Sequence, residues 1–139
     1  MTSGPTFSTF YGAPSINTAG TVAFNAALDA GGTGIFTGAG GATAPIALAS
    51  GPTFNDFSAV SPSINAAGRV AFWATTDFLD SGVFTSTGGT ATSIALESGP
   101  LSQIGNPSIN ASGTVVFVAD IDGTRAIKAF SPARGEQRR

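Results

Sequence analysis

Pro14-Ser-Ile-Asn-Thr-Ala-Gly-Thr-Val-Ala-Phe24, Pro62-Ser-Ile-Asn-Ala-Ala-Gly-Arg-Val-Ala-Phe72 and Pro107-Ser-Ile-Asn-Ala-Ser-Gly-Thr-Val-Val-Phe117 are three copies of one phrase, starting 48 and then 45 residues apart. The first two copies agree well beyond the phrase. From the asparagine it is 19 residues to Phe36 or Phe84, 23 to Gly40 or Gly88, 29 to Ile46 or Ile94, and 34 to Gly51 or Gly99. Only the stretch between Gly-Pro and the next Pro-Ser-Ile-Asn varies in length. A period of this size marks a repeat architecture.

Each unit reads as four short strands, in the second unit about 57–64, 69–76, 82–87 and 91–97. Asn-x-x-Gly separates the first two. Asparagine can bond the backbone two residues on, and glycine tolerates positive φ, so the tetrapeptide predicts a type I turn closed by a left-handed residue. Asn17, Gly20, Asn65, Gly68, Asn110 and Gly113 are therefore assigned as turn residues rather than as ligand-binding groups. Gly40-Gly41 and Gly88-Gly89 close the second hairpin on similar grounds.

The second strand decides the architecture. Val70, Phe72 and Ala74 point one way, and Ala71, Trp73 and Thr75 the other. Both faces are largely apolar, as they are in the counterparts starting at Thr21 and Thr114. A half-exposed sheet would alternate apolar with polar residues, so both faces here must be covered. Four-stranded units of 40–50 residues stacked face to face are β-propeller blades. The expected fold is all-β, with β-propeller-type four-stranded antiparallel blades. Phe24, Phe36, Phe72, Trp73, Phe84 and Phe117 pack between them.

The Asn-x-x-Gly-x-x-Ala-Phe core resembles the NxxGxxAF tandem repeats of bacterial proteins, many of them secreted and surface-anchored. The wider pattern is similar to TolB-like β-propeller blades. The third unit departs by placing Val116 where the others have Ala23 and Ala71. The resemblance implies a blade-like unit and no catalytic residue. These 139 residues carry no sorting-anchor pattern, so surface attachment is not carried over from those proteins. The low charge and missing reactive side chains are what lead to the expectation of an extracellular or cell-surface location.

The units span 4–50, 51–98 and 99–132 within a single domain, 1–132, followed by a basic tail, 133–139. In the third unit Ser131-Pro132-Ala133-Arg134 replaces the glycine pair, so its outer strand is expected to be missing. That makes about two and three-quarter blades, whereas propellers usually close with four to eight. The terminal blades should then present apolar faces, like those of Phe24 or Phe117, to a copy of the same chain. A homo-oligomeric ring or a filament follows, with a piece of a longer array as the competing explanation.

Composition narrows the chemistry. Among 139 residues there is no cysteine and no histidine, and only 10% are charged. Disulfides, thiolate or imidazole metal sites and histidine-assisted nucleophiles are excluded. The net charge of −2 offers no field for nucleic acid, although five of the six basic residues lie in the last fifteen positions. No apolar run reaches the ~20 residues of a membrane span, and residues 1–13 lack the pattern of a secretory signal.

Asp120-Ile121-Asp122-Gly123 offers two oxygen ligands for calcium but not the rest of an EF-hand set, and Asp-Gly is a common hairpin turn. Asp77 and Asp80 fall in the matching connection of the second unit, whereas Asp29 stands alone in the first. None of these acids is marked as a general acid. Lys128, the only lysine, could in principle activate a serine, but it stands alone on a terminal strand. Gly38-Ala39-Gly40-Gly41 lacks the lysine and following helix of a phosphate loop. Trp73 and Tyr11 could stack on a sugar, but the positions matching Trp73 are Asn25 and Val118. The expected function is a non-enzymatic, self-assembling structural or scaffold subunit without cofactor or metal. A carbohydrate- or small-ligand-binding (lectin-like) oligomeric propeller is the alternative.

Overall fold

The computed structural model describes residues 6–49, 53–57, 60–131 and 136–138, the last three by backbone only. The unit boundaries at Gly4-Pro5 and Gly51-Pro52, and the tail positions 133–135 and 139, lie outside the described residues. The described residues contain no helix and form three antiparallel sheets, one per repeat. The first sheet runs β1 (Phe7–Ile16), β2 (Val22–Leu28), β3 (Thr33–Gly38) and β4 (Thr43–Leu48) in sequence order. In the second, β5 (Phe54–Asp56) and β6 (Ser63–Ile64) both pair with β7 (Val70–Thr76), followed by β8 (Ser81–Ser86) and β9 (Thr92–Leu96). The third repeats this with β10 (Leu101–Ser102) and β11 (Ser108–Ile109) on β12 (Val115–Ile121), then β13 (Thr124–Ser131) and β14 (Glu136–Arg138).

Two features differ from the sequence-based expectation. The first strand is continuous only in the first unit; elsewhere it is two short pieces. The intervening backbone differs between the second and third units. In the second the Val60 carbonyl accepts from Asn25 Nδ2 of the first sheet, whereas in the third Gly105 N–H still donates to the Val118 carbonyl of the neighbouring second strand. The third unit also has a fourth strand where none was expected. Glu136–Arg138 pairs with Ala129–Ser131. Backbone groups along β13 need partners whatever the side chains are, and Glu-Gln-Arg carries none of the apolar signal of Ala-Pro-Ile-Ala-Leu in β4.

The turns follow from the asparagine. Gly20, Gly68 and Gly113 take φ of 85°, 85° and 88°, and each donates its N–H to the carbonyl of the asparagine three residues earlier. The asparagine Oδ1 accepts the N–H four residues on: Thr21 at 2.9 Å, Arg69 at 2.9 Å and Thr114 at 2.8 Å. The same side chain then reaches out of its unit. Asn17 Nδ2 donates to the Asn65 carbonyl, and Asn65 Nδ2 to the Asn110 carbonyl, both at 3.0 Å.

Two further series of hydrogen bonds run beside this one. Ile64 N–H donates to Ser15 Oγ at 3.2 Å, and Ile109 N–H to Ser63 Oγ at 3.1 Å. Ala13 N–H donates to Ser61 Oγ at 2.8 Å, and Ser61 N–H to Asn106 Oδ1 at 3.3 Å. Each unit is thus bonded to the next through two positions of Pro-Ser-Ile-Asn and through the residue just before it. The repeat is a repeat of rungs as well as of strands.

Apolar packing fills the space between sheets. Ala23, Ile35, Ile46 and Ala47 of the first unit meet Phe54, Phe57, Ile64, Val70 and Phe72 of the second. Ala71, Val83 and Ala95 of the second meet Leu101, Ile104, Ile109, Val115 and Phe117 of the third. Each large apolar side chain so buried stabilises the stack by roughly 1.5–3 kcal/mol. Phe54, Phe57, Phe72 and Phe84 form a ring cluster with centroids 5.0–6.1 Å apart. Phe7, Phe10, Phe24 and Phe36 repeat it in the first unit.

Asn65 is buried and bonds in two directions, whereas Asn110 is exposed and its Nδ2 has no partner among the described residues. Asn65→Ala should therefore lower stability by about 1–3 kcal/mol in urea unfolding, and Asn110→Ala by clearly less. Equal losses would show that the cross-unit bond contributes nothing.

Candidate functional site

Each unit has a front face, turned toward the preceding unit, and a back face, turned toward the following one. On the front, Phe10, Phe57 and Ile104 are equivalent, as are Ile16, Ile64 and Ile109. Phe57 is fully buried and Phe10 is 64% exposed. Ile64 and Ile109 are 6% and 8% exposed, and Ile16 is 66% exposed. Phe7, Val22 and Phe24 are likewise half-buried where their second-unit counterparts are buried. The front of the first unit is an uncovered copy of faces that are covered elsewhere.

The back of the third unit mirrors this. Strand pairing sets Asn25 opposite Ile35, Trp73 opposite Val83 and Val118 opposite Ile127. Ile35 and Val83 are fully buried; Ile127 is 66% exposed, and Val116 beside it is exposed where Ala23 and Ala71 are buried. One expectation needs correction here. Phe117 does not belong to an open face: it is buried against the second unit, with its ring stacked 5.7 Å from Phe130. Alternation along a strand that is apolar on both sides does not say which side meets the next unit; here Phe117 meets the second unit and Val116 lies on the open side.

Of the remaining packing residues, Phe36, Phe72 and Phe84 are buried, while Phe24 and Trp73 are half-buried. Trp73 touches the apolar clusters on both sides of its sheet, and its indole Nε1 is buried without a hydrogen-bond partner. Tyr11, paired with Asn25 in β1 and β2, is half-buried and belongs to a different sheet from Trp73. The structure does not bring the two rings together as a sugar-stacking platform.

The acidic candidates are equally dispersed. Asp120 Oδ1 accepts from Arg125 Nη1 at 3.1 Å in an exposed ion pair, and the same guanidinium nitrogen donates to the Gln103 carbonyl. Asp122 and Gly123 take φ of 51° and 82°, the pair of left-handed residues that a two-residue type I′ hairpin requires. Asp80 Oδ1 accepts from Ser98 N–H. Among the described residues no three acidic side chains converge where a metal ion could sit. Lys128 is buried opposite Phe117, at the position that Phe36 and Phe84 hold in the other units.

Two surface features escaped the sequence reading. An open groove between the second and third sheets is lined by Asn65, Arg69, Thr85, Thr92, Ser112 and Phe130. At the tip between β7 and β8, Phe78 and Leu79 are 92% and 75% exposed, and Leu79 adopts φ of 64°. The signal for the tip was present: Asp77-Phe-Leu-Asp80 stands where the first unit has Asp29-Ala-Gly-Gly32.

If Trp73 packs between sheets, Trp73→Ala should lower stability by roughly 3 kcal/mol in urea unfolding. A ring displayed on the surface for sugar stacking would leave stability within about 0.5 kcal/mol of the parent, and that result would overturn the packing role.

No helix of the described residues is long and apolar enough to cross a membrane. No curated protein and no solved structure matches the chain. Residues 1–132, the stretch that carries all three repeats and both uncovered faces, match DUF7453, a family of unknown function, and the chain belongs to that family.

Proposed function

We propose that this chain is a non-enzymatic, self-assembling structural subunit. Its three sheets are β-propeller-type blades, and they associate with further copies through the blade faces to form a ring or a filament. The observation that supports this is the pair of uncovered faces. The front of the first unit and the back of the third carry Phe10, Ile16, Val116 and Ile127, four of the six exposed large hydrophobic residues among those described. Scattered exposed apolar side chains need no explanation, but two matching faces at opposite ends of a stack do. A front face meeting a back face is a heterologous contact. It closes into a ring when its rotation divides the circle and otherwise propagates.

The low charge and the absence of histidine and cysteine suit a durable assembly with no reactive group. That composition, rich in Gly, Ala, Thr and Ser, is the ground for placing it on a bacterial extracellular surface. Glycan binding is the competing use of such a stack, and the half-buried Trp73 with Asn25 and Val118 at the matching positions disfavours it. Specific binding on a glycan array that Trp73→Ala abolishes would reinstate it.

Light scattering at micromolar concentration should give a mass that is a multiple of 13.7 kDa. Ile16→Glu and Ile127→Glu should each reduce it to one chain, because a charge buried in an apolar contact without a partner is strongly disfavoured. Both sites are exposed in the single chain, so its stability should stay within about 0.5 kcal/mol. A parent protein that is a single chain, or variants that keep the parent mass, would contradict the proposal.

A further inference from the structure

The self-association reading leaves the contact itself unspecified, and the rungs between units specify it. The present inference rests on that reading. We infer that the partner of the open front face is the open back face of a second copy, held in the same register as the internal contacts, with Asn110 Nδ2 of one copy donating to the Asn17 carbonyl of the next and Ile16 N–H donating to Ser108 Oγ.

Each half of this contact is already built. Ser15 and Ser63 use their hydroxyls to accept from the isoleucine N–H of the next unit. Ser108, at the third position, is exposed and has no unit beyond it among the described residues. Asn17 and Asn65 donate to the next asparagine carbonyl. Asn110 has the same side chain, its Oδ1 accepting from Thr114 N–H as in the other turns and also from the Ser112 hydroxyl, and its Nδ2 has no acceptor among the described residues. At the other end the Asn17 carbonyl accepts, among the described residues, only from Gly20 N–H, whereas the Asn65 and Asn110 carbonyls each accept a second bond from the unit before. The two ends therefore complement each other in donors, acceptors and apolar faces. A front-to-front contact would oppose Ile16 to Ile16 and leave Asn110 and Ser108 unused. Continuity with the two internal contacts selects a second copy of this chain as the occupant.

The register also exposes one defect. In the third series of rungs, a backbone N–H donates to the side chain at the same position of the next unit: Ala13 to Ser61, then Ser61 to Asn106. Continued into the next copy, Asn106 N–H would face residue 13, an alanine with no acceptor. The contact between copies has two of the three rungs. This makes it weaker than the internal contacts, and a single substitution can repair it by copying the second unit's residue into the first.

The test uses the full chain, which has no native cysteine to interfere. Ala13→Ser should tighten association roughly threefold to tenfold, the equivalent of one net hydrogen bond. It is read as a shift in the concentration at which the mass seen by light scattering falls to one chain. In parallel, Ala13→Cys and Asn106→Cys are prepared as separate proteins carrying different tags, mixed and treated with a short bismaleimide. Links between the two proteins, without links of either to itself, are the expected result. Association that persists while Ala13→Ser leaves it unchanged, or while residue 13 links to 13 and 106 to 106, would overturn the register and leave self-assembly standing. A single-chain mass for the parent and for Ala13→Ser alike would overturn both.

Discussion

One side chain per repeat holds this molecule in order. The asparagine of Pro-Ser-Ile-Asn accepts the N–H four residues ahead and so closes its own turn, and in the first two units its amide nitrogen donates to the backbone of the next unit's asparagine. An amide can do this because it carries donors and acceptors on one rigid plane. Aspartate would accept but not donate, and serine could not span both distances. A local turn is thereby tied to the placement of the next sheet. The serine and position-13 series act alongside it, and the apolar faces supply the bulk of the driving force. In such an architecture stability is set by neighbouring units, so the end units are those with unmet partners.

Much of the fold was legible. The three Pro-Ser-Ile-Asn phrases, the Asn-x-x-Gly turns and the two-sided apolar second strands lead to stacked four-stranded sheets with almost no other information. The second bond of each asparagine was not legible, because a turn alone already accounts for an Asn-x-x-Gly sequence. Glu136-Gln-Arg138 was missed as a strand for a different reason. Edge pairing is a backbone requirement, and polar side chains on an outer strand do not announce it. Phe117, expected on an open face and found buried against the second unit, shows the limit of strand alternation. When both sides are apolar, the pattern says that two faces are covered but not which neighbour covers each.

The candidate chemistry fared differently from the candidate packing. Asp120 is engaged by Arg125, Asp122 forms half of a hairpin turn, and Trp73 lies within its stack. These residues have structural uses that suffice to explain them. Among the described residues, the features left without such a use include the front of the first sheet, the back of the third, the groove lined by Arg69 and Phe130, and the Phe78-Leu79 tip. The first two match each other. Function, in this reading, resides in the surfaces between units rather than in a pocket.

Electron microscopy of the purified protein tests that reading most directly. Rings of uniform diameter or fibres many chains long, with a repeat set by successive copies, are the predicted images. Fields that hold nothing larger than a lone 13.7 kDa chain would contradict it.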